Sequence, residues 1–362
     1  MQQVLIVGAG KIGSLIAFLL ANTSDYHIYL ADSEPHNENI KRLPKLIHCE
    51  IISLDISNEA ALDAFLKKNS MDAIVSSLPY YVNLPVAKAA KKFNVHYFDL
   101  TEDVQTTQAI GALAQNAPKA FVPQCGLAPG FISIITNDLM KHFPSTIDKV
   151  KMQVGALPIN ISNALQYSLT WSIDGLINEY GNLCHGIANG EPAWLHPLDD
   201  LEIIKIDGLT YEAFNTSGGS GNLVNSHAGK VKHLSYKTIR YPGHCEKIKF
   251  LMQDLNLNED RATLKHILEN SIPRTFQDVV LIYVSVTGIK ENQLVEVNYV
   301  KKLYPKIIQN ISWSAIQMTT ASSICAVIDI VLSNASAYQG LIYQEQFSLD
   351  TLLANRFGVY YA

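Results

Sequence analysis

Residues 235–244, SYKTIRYPGH, bring together side chains that could bind an anion. The segment alternates as a β-strand until a Pro-Gly pair ends it, so Tyr236, Thr238 and Arg240 point to one face. An arginine and a tyrosine hydroxyl on one face are suited to a carboxylate, and His244 follows directly after the strand. The same pattern is compatible with the solvated side of a sheet. The choice between the two depends on the rest of the chain.

A glycine-rich turn near the N-terminus has the pattern of a dinucleotide-binding loop. Gly8, Gly10 and Gly13 form GxGxxG between a strand-like run and a helical apolar pattern, VLIVGAGKIGSLIAFLL. The first glycine allows a tight turn, the second lets the backbone approach a pyrophosphate, and the third lets the helix pack on the strand. The helix N-terminus, with Lys11 and Ile12, presents free N–H groups to the phosphates.

Asp32 predicts that the cofactor is NAD rather than NADP. It ends the segment HIYLAD, 19 positions after Gly13. A carboxylate here accepts hydrogen bonds from the ribose hydroxyls and repels a 2′-phosphate. Ser33 and Glu34 follow it, and the nearest arginine, Arg42, lies ten positions on.

Strand and helix patterns alternate through the first 126 residues. Strands are predicted at 50–56, 72–79, 95–100 and 120–126, and helices at 59–68, 83–93 and 104–115. This order predicts a doubly wound parallel sheet, a Rossmann fold, with ligands at the carboxyl ends of the strands. The predicted cofactor contacts are Gly8, Gly10, Lys11, Ile12, Gly13, Asp32, Asp55, Ser77, Leu78, Pro79 and Cys125.

The pattern changes from about residue 130. Strands at 149–158, 231–241, 279–290 and 294–304 and a helix in 170–182 predict a second α+β domain with a mixed or antiparallel sheet. The last forty residues return to helical patterning. We therefore predict an NAD-binding domain of residues 1–125 with 312–362, and a substrate and dimerisation domain of residues 126–311. Residues 314–333 are mostly apolar, but the polar Gln317 and Asp329 favour a buried helix over a membrane span.

Composition argues against several classes of protein. The formal net charge is −5, and no run of like charges indicates a nucleic-acid surface. Five scattered cysteines without a CxxC pair favour free thiols in a reducing compartment. His185, His196 and His227 lack metal-ligand spacing, so no metal is predicted. No basic segment precedes the first strand, so no secretory signal is expected.

Longer blocks of the chain resemble the saccharopine dehydrogenase-like oxidoreductases, and within them lysine 6-dehydrogenase most closely. The blocks are GLAPGF (126–131), GALP (155–158), YSLTWSIDGLINEY (167–180), EAFNTSGGSGNL (212–223), GKVKHLSYKTIRYPGH (229–244), WSAIQMTT (313–320) and NRFG (355–358). The resemblance implies a two-domain fold and NAD(P)-linked oxidation of an amine on an amino acid. It also implies a cytoplasmic homodimer or higher homo-oligomer.

This resemblance gives the face of residues 235–244 a role. The α-carboxylate of an amino acid needs a planar double donor, which Arg240 supplies and a lysine does not. Oxidation of an amine also needs a base to deprotonate the ammonium, and Asp99 ends a predicted strand at a suitable place. Glu102 and Asp103 follow it, either as site residues or as helix N-terminal charges. The predicted catalytic residues are Asp99, Tyr236, Arg240 and His244, and the predicted substrate contacts are Tyr80, Thr101, Glu102, Thr238 and Tyr241.

Three functions remain open at this point. The first is oxidation of the C6 amine of L-lysine to a semialdehyde, which cyclises to a piperideine carboxylate. The second is oxidation of saccharopine, which carries two further carboxylates; residues 214–219 contain no arginine to bind them, which disfavours it. The third is a non-catalytic NAD-binding sensor or scaffold, which mutual salt bridges among the predicted catalytic residues would favour. The sequence does not decide the base, the hydride face or the oligomer size.

Overall fold

A computed structural model describes residues 1–144 and 147–362. The strands are β1 (Gln2–Val7), β2 (Tyr26–Asp32), β3 (Cys49–Ser53), β4 (Ala73–Ser76), β5 (His96–Asp99), β6 (Ala120–Val122), β7 (Ile147–Pro158), β8 (Cys184–Ala188), β9 (Glu191–Leu195), β10 (Glu202–Ile206), β11 (Leu209–Asn215), β12 (Val231–Arg240), β13 (Asp278–Lys290), β14 (Gln293–Leu303), β15 (Lys306–Ile308), β16 (Ile311–Trp313) and β17 (Gly340–Leu341). The α-helices are α1 (Lys11–Ala21), α2 (Glu38–Lys41), α3 (Glu59–Lys68), α4 (Asn83–Phe93), α5 (Val104–Ala114), α6 (Phe131–Met140), α7 (Ile173–Gly181), α8 (Leu223–His227), α9 (His244–Lys249), α10 (Arg261–Ser271), α11 (Ala315–Ser333) and α12 (Leu349–Ala354).

The first of two compact units comprises Met1–Phe131 and Gln317–Ala362. Its sheet has seven strands in the order β17-β6-β5-β4-β1-β2-β3, and every pairing is parallel. Apart from the short β17, this is the Rossmann strand order. Apolar runs in β1, β4 and β5 are buried from both faces, as parallel sheets covered by helices require. The predicted nucleotide-binding fold is confirmed.

The four strands predicted between residues 50 and 126 are all shorter in the structure, and in β4 and β6 the difference lies at the carboxyl end, where ligands bind in this fold. β4 ends at Ser76 and β6 at Val122, whereas strands to residues 79 and 126 were predicted. Pro79 and Pro123 have no backbone N–H for a ladder, so the chain leaves the sheet before them. The residues that follow form loops at the carboxyl ends of the strands. Helices α3 and α4 have the predicted bounds.

Helix α11 lies in the first unit from Gln317 onward. Among the described residues it is the helix long and apolar enough to cross a membrane, with a mean hydropathy of 1.7, yet 83% of its apolar window is buried. Its Asp329 accepts hydrogen bonds from the Tyr26 hydroxyl (2.6 Å), from Asn355 (2.7 Å) and from Arg356 (2.5 Å). These contacts hold the C-terminal segment against β2.

The second unit comprises Ile132–Ile316. Its main sheet has the order β10-β11-β12-β7-β13-β14, and β8 pairs with β12 and β9. β12 and β7 are parallel and the other pairings are antiparallel, so the predicted mixed sheet is confirmed. A buried cluster that includes Tyr167, Leu176, Phe214 and Ile248 packs helices α7, α9 and α10 with the sheet. The units divide at residues 131/132 and 316/317, beside the predicted domain limits at 125/126 and 311/312.

Candidate nucleotide and substrate sites

The three glycines of the first turn are required for different reasons. Gly8 has a φ of 93°, which L side chains rarely adopt. A Cβ on Gly13 would lie 1.9 Å from the carbonyl oxygen of Gly8, so that position must be glycine for the helix to pack. A Cβ on Gly10 would meet no atom within 4 Å. The fold therefore tolerates a larger residue at Gly10, and the open space beside it is available to a ligand.

The start of α1 fits a diphosphate. Gly10 precedes the first helical residue, Lys11, and no side chain caps the helix. The first N–H groups of a helix have no intrahelical partners, and the dipole adds partial positive charge there. Gln317 donates to the Lys11 carbonyl oxygen (3.0 Å). Lys11 and Ile12 are half-buried, and the open N-terminus matches what a dinucleotide needs.

Asp32 is bound to the glycine-rich turn. Its Oδ2 accepts from the backbone N–H of Ala9 (2.7 Å), and its Oδ1 accepts from that of Glu34 (2.8 Å). Each carboxylate oxygen has a second lone pair, so these bonds leave acceptors for ribose hydroxyls. The carboxylate therefore holds the turn in addition to its predicted contact with the cofactor.

The other predicted cofactor contacts fall into different environments. Ser77 and Leu78 lie against Gly8: a Cβ there would be 2.9 Å from Leu78 Cδ2 and 3.0 Å from the Ser77 carbonyl oxygen. Pro79 is exposed after them. Asp55 is exposed, and hydrogen bonds from the Ser57 hydroxyl and N–H to its Oδ1 lower the pKa of its carboxyl group.

Cys125, a predicted cofactor contact, has a thiol that is buried within the first unit. The residue is fully buried, and its Sγ donates to the carbonyl oxygen of Val122 (3.0 Å). Burial raises the thiol's pKa well above its usual range, as does the neighbouring carboxylate of Asp99. In this structure the Cys125 side chain packs in the core of the first unit.

Asp99 is enclosed rather than open, which argues against the predicted role of base. Asp99 is fully buried. Its Oδ1 accepts hydrogen bonds from the backbone N–H groups of Thr101 (3.0 Å) and Gln124 (3.0 Å). Its Oδ2 accepts a hydrogen bond from the Tyr97 hydroxyl (2.8 Å). Burial raises the carboxyl pKa to about 6, against the opposing effect of these bonds. Asp99 ties the end of β5 to the loop after β6, so it acts as an anchor of the site. Sequence reasoning placed it correctly on the strand but could not show the loop that covers it.

The remaining predicted residues after β4 and β5 divide by exposure. Thr101 is 2% exposed. Asp103 caps α5, because its carboxylate accepts a hydrogen bond from the backbone N–H of Thr106 (2.7 Å). This is the helix N-terminal role that the sequence offered as one alternative. Glu102 is half-buried, as is Tyr80, which lies edge to face with Tyr81 at 5.5 Å. Glu102 is thus the partly exposed carboxylate of the predicted substrate set.

In the second unit, Arg240 is a buried cation. It is 2% exposed; its Nε donates to the Tyr180 hydroxyl (2.8 Å) and its Nη1 to the carbonyl oxygen of Ile239 (2.8 Å). The guanidinium carbon lies 5.1 Å from the ring centre of Tyr167 and 5.7 Å from that of Tyr180. Burial disfavours its charge, but Tyr180, Tyr167 and Glu179 together raise the pKa of Arg240 above its ordinary value.

His244 is held neutral and out of solvent, so it does not present a nitrogen to a ligand as predicted. It is 0% exposed; its Nδ1 lies 2.8 Å from the Leu165 carbonyl oxygen and its Nε2 3.0 Å from the Tyr180 hydroxyl. Burial, and then the charge of Arg240, lower its pKa to about 3. In this arrangement His244 is a hydrogen-bond partner of Tyr180, and its catalytic role stays a prediction.

Tyr236 lies under a tight loop. A Cβ on Gly219 would be 2.3 Å from its ring, so the loop after β11 can cover the ring only because that residue is glycine. The loop is fixed by Ser217, whose N–H donates to the Glu179 carbonyl oxygen (2.9 Å) and whose hydroxyl donates to that of Asn178 (3.0 Å). Burial raises the pKa of Tyr236 well above its usual range, so its hydroxyl keeps its proton.

Thr238 and Tyr241 do not present their hydroxyl groups to the face of Arg240, although both were predicted as substrate contacts. The Thr238 hydroxyl donates to the carbonyl oxygen of Val154 on the adjacent strand (3.3 Å). Tyr241 stacks on Tyr211 and donates to the Pro158 carbonyl oxygen (2.9 Å). Both hydroxyls therefore serve the sheet.

Sequence reasoning missed Tyr180, Tyr167 and Glu212. Tyr167 and Tyr180 begin and end one of the quoted sequence blocks, which was the available signal. Glu212 is 3% exposed and accepts from the N–H groups of Gly243 (2.7 Å) and Cys245 (2.6 Å), so it fixes the start of α9 at His244. Among the described residues, no group of three His, Cys, Asp or Glu side chains is placed to hold a metal ion.

Two protein-family models match almost the whole chain. The saccharopine dehydrogenase NADP binding domain matches residues 4–123, and the saccharopine dehydrogenase C-terminal domain matches residues 126–357. The first match covers the parallel sheet with its glycine-rich turn. The second covers the mixed sheet together with the C-terminal helices.

Curated relatives carry the same name. The chain is 23% identical over 273 residues to the saccharopine dehydrogenase [NADP(+), L-glutamate-forming] of Saccharomyces cerevisiae, covering 72% of this chain and 59% of the relative. It is 23% identical over 246 residues to that of Pyricularia oryzae, covering 65% of this chain and 54% of the relative. The chain thus spans little more than half the length of either relative.

Solved structures share the fold. Apo saccharopine dehydrogenase (L-Glu forming) from Saccharomyces cerevisiae superposes with a TM-score of 0.75 at 17% identity, covering 97% of this chain and 95% of that one. Homospermidine synthase from Legionella pneumophila in complex with NAD gives a TM-score of 0.67 at 11% identity, covering 99% and 89%. At these identities the likeness establishes the architecture, and the chemistry must be argued from the side chains.

Proposed function

Because the chain belongs to the saccharopine dehydrogenase family, we propose that it is an NAD-dependent dehydrogenase that oxidises the C6 amine of L-lysine. Transfer of hydride from C6 leaves an iminium, which water hydrolyses to a semialdehyde with release of ammonia. The aldehyde then condenses with the α-amine, with loss of water, to a piperideine carboxylate. Nicotinamide, when bound, supplies the hydride acceptor for this oxidation.

The single observation that supports the proposed substrate class is that Arg240 is a buried cation whose hydrogen bonds go to neutral groups. Arg240 donates hydrogen bonds to a phenol and to a peptide carbonyl, and the carboxylate of Glu179 contributes to its raised pKa. A buried cation whose hydrogen bonds go to neutral groups is costly. A substrate anion that binds the guanidinium offsets this cost, and the α-carboxylate of an amino acid is such an anion.

The surroundings of Arg240 favour a substrate with one such carboxylate. Residues 214–219 contain no arginine, and Gly219 of that segment lies against the Tyr236 ring. Arg261 elsewhere in the same unit is committed to Asn182 (2.9 Å) and Asn258 (3.3 Å). Lysine needs one carboxylate site, whereas saccharopine needs three.

Saccharopine is the second candidate, and the names of the curated relatives favour it. It would undergo the same removal of hydride from a carbon that bears nitrogen, but on a secondary amine. The sensor or scaffold alternative would be favoured by salt bridges among the predicted catalytic residues. Instead, Asp99 hydrogen-bonds to backbone N–H groups and to a tyrosine, and Arg240 hydrogen-bonds to Tyr180 and a backbone carbonyl.

Amine oxidation requires removal of a proton from the ammonium before hydride can leave, because the nitrogen lone pair must form the iminium. Asp99 is enclosed, so we assign this step to Glu102, the half-buried carboxylate of the loop that follows β5. We assign binding of the substrate carboxylate to Arg240.

The experiment that tests the proposal is a substrate panel. The purified chain is mixed with NAD or NADP and with lysine, ornithine, saccharopine or other ω-amino acids, and absorbance of the reduced cofactor is followed. We expect reduction with lysine and NAD at the highest kcat/KM. A higher kcat/KM with saccharopine selects the second candidate, and no reduction with any amine rejects the dehydrogenase proposal.

A further inference from the structure

We infer that Tyr180 and His244 form a one-way hydrogen-bond chain whose task is to fix the orientation of the Arg240 guanidinium. This inference rests on the proposed function only for the identity of the ligand that Arg240 receives. Tyr180 is a positioning residue here, because it acts through Arg240.

The direction of every proton in the chain follows from its ends. A carbonyl oxygen only accepts, so the bond between His244 Nδ1 and the Leu165 carbonyl oxygen places a proton on Nδ1. A neutral imidazole then has a bare Nε2, which must accept from the Tyr180 hydroxyl at 3.0 Å. An arginine only donates, so the same phenolic oxygen accepts from Arg240 Nε at 2.8 Å. The tyrosine hydroxyl has no freedom to reverse.

The hydrogen bonds keep these directions because His244 stays neutral. It is fully buried, its ring lies 5.3 Å from that of Tyr167, and it stacks with the ring of Phe214 at 6.4 Å. The positive charge of Arg240 further disfavours an imidazolium. A protonated imidazole would turn Nε2 into a donor and break its bond to the tyrosine.

The far end of the chain is also fixed. His244 is the first residue of α9, and Glu212 accepts from the N–H groups on either side of it, at Gly243 and Cys245. The Leu165 carbonyl oxygen fixes the ring rotation. The chain therefore runs from an immobile backbone to one edge of the guanidinium.

At Arg240 the chain leaves one part of the fork for a ligand. Nε is held by Tyr180 and Nη1 by the carbonyl oxygen of Ile239. The rings of Tyr167 and Tyr180 lie against the guanidinium. The guanidinium is planar, so fixing two of its nitrogens fixes the direction of the third, Nη2. An anion bound by Nη2 would receive a hydrogen bond of fixed direction.

Kinetics of a Tyr180→Phe variant test the inference, because the variant keeps the ring and removes the link. We expect KM for the amino acid to rise by about tenfold or more, since a bond to a charged group is lost, with kcat changed less than about threefold. In an Arg240→Ala background the same change should have no further effect on KM. Tyr211→Phe is the matched control, a buried tyrosine of the same unit whose hydroxyl contacts none of these residues, and it should leave KM unchanged. Additive losses from Tyr180→Phe and Arg240→Ala would overturn the inference.

A second readout does not depend on turnover. The chain has five arginines, so the Nε–H resonance of Arg240 can be assigned by substitution in a protein with 15N-labelled arginine. We expect this resonance to exchange slowly with water in the native protein and at least about tenfold faster in Tyr180→Phe. His244 nitrogen shifts should show the Nδ1–H tautomer. An Nε2–H tautomer of His244, or equal exchange rates in both proteins, would contradict the hydrogen-bond chain even if the substrate panel shows lysine oxidation. If no amine is oxidised but the slow exchange and the Nδ1–H tautomer are observed, the hydrogen-bond chain is supported and the proposed function is rejected.

Discussion

The Asp32 carboxylate and the backbone N–H of Ala9, 23 positions apart in the chain, are joined by a hydrogen bond of 2.7 Å. This bond holds the end of β2 against the glycine-rich turn that precedes α1. The residue predicted to choose the cofactor is therefore also bound to the loop that is predicted to receive its phosphates. A 2′-phosphate would approach a carboxylate that the turn prevents from moving away.

We expect NADH to bind at least about tenfold more tightly than NADPH, a difference of ~1.4 kcal/mol. The reason is repulsion between the fixed carboxylate of Asp32 and a 2′-phosphate. Fluorescence titration with the two reduced cofactors measures the ratio. Glu34→Ala is the control, because this exposed side chain can be removed while its backbone N–H still binds Asp32. Equal or tighter binding of NADPH would show that Asp32 does not select the cofactor.

Two substitutions in the turn should separate folding from cofactor binding. In Gly10→Ala the new methyl group meets no protein atom, so the melting temperature should stay within about 2 °C while NADH affinity falls about tenfold or more. In Gly13→Ala the methyl group would overlap the Gly8 carbonyl oxygen, and the protein should melt at least about 5 °C lower. Calorimetry and NADH titration measure both effects. Unchanged NADH affinity in a folded Gly10→Ala protein would contradict a phosphate at this turn.

Local spacing was enough to predict the fold around the glycine-rich turn. The pattern covers some thirty residues: a strand, three glycines, a helix, and a second strand that ends in an acidic residue. These elements are neighbours in the fold and pack on one another, so each one supports the prediction of the next. The β12 face was predictable in part, since alternation places Tyr236 and Arg240 together. The link from Arg240 to Tyr180 was not, because the two residues are 60 positions apart and only the packing of α7 brings them together.

Asp99 shows that the position of a carboxylate along a strand is not enough to predict its role. The sequence places it at the carboxyl end of β5, and the structure agrees. Whether such a carboxylate is a base or an anchor depends on what covers it. Here the backbone N–H of Gln124, in the loop after β6, donates a hydrogen bond to its Oδ1. This contact joins two segments that are distant in sequence, so no periodic pattern in either segment could predict it.

Asp99→Asn should distinguish an anchor from a base. An amide oxygen still accepts from Thr101 and Gln124, so we expect kcat to change less than about threefold, whereas loss of a base costs about a hundredfold or more. Steady-state kinetics with saturating NAD measure the difference. A hundredfold loss of kcat in a folded variant would restore Asp99 as the base.

The same variant should alter the pH dependence of stability. The folded pKa of Asp99, about 6, lies above the unfolded value of 3.8, so its contribution to stability is present below pH 4 and is lost as the pH rises to 6. The loss amounts to about 3 kcal/mol. The amide that replaces the carboxyl group does not titrate, so the free energy of unfolding of the variant relative to the native protein should increase from pH 4 to pH 6. Urea unfolding at both pH values measures this, and a constant difference would contradict the raised pKa.

Asp329→Leu tests the assignment of α11 as a core helix. The change makes the helix more apolar but leaves Arg356 and Tyr26 without the carboxylate they bind. We expect the protein to be purified without detergent in both forms, and the variant to lose on the order of 2–4 kcal/mol of unfolding free energy. Urea unfolding checks the loss. A native protein that requires detergent, or a variant of unchanged stability, would contradict the assignment.

The last prediction concerns the ligand of Arg240. Arg240→Ala leaves a desolvated substrate carboxylate without its partner, which costs on the order of 2–5 kcal/mol. We therefore expect kcat/KM for lysine to fall by about 30- to 5000-fold, with NAD affinity unchanged. Arg240→Lys should recover part of the loss, because an ammonium carries the charge but lacks the planar set of donors that binds Tyr180, Ile239 and the carboxylate together.

Cadaverine, which is lysine without its α-carboxylate, separates carboxylate binding by Arg240 from a role in the fold. It should be a poor substrate for the native protein, and Arg240→Ala should hardly lower its kcat/KM further, since the guanidinium has nothing to bind in it. Arg240 also lies against the rings of Tyr167 and Tyr180, so its removal could loosen the unit as a whole. In that case cadaverine and lysine would suffer equally, the melting temperature would fall with them, and Arg240 would be a structural residue of the sheet rather than the receptor of a carboxylate.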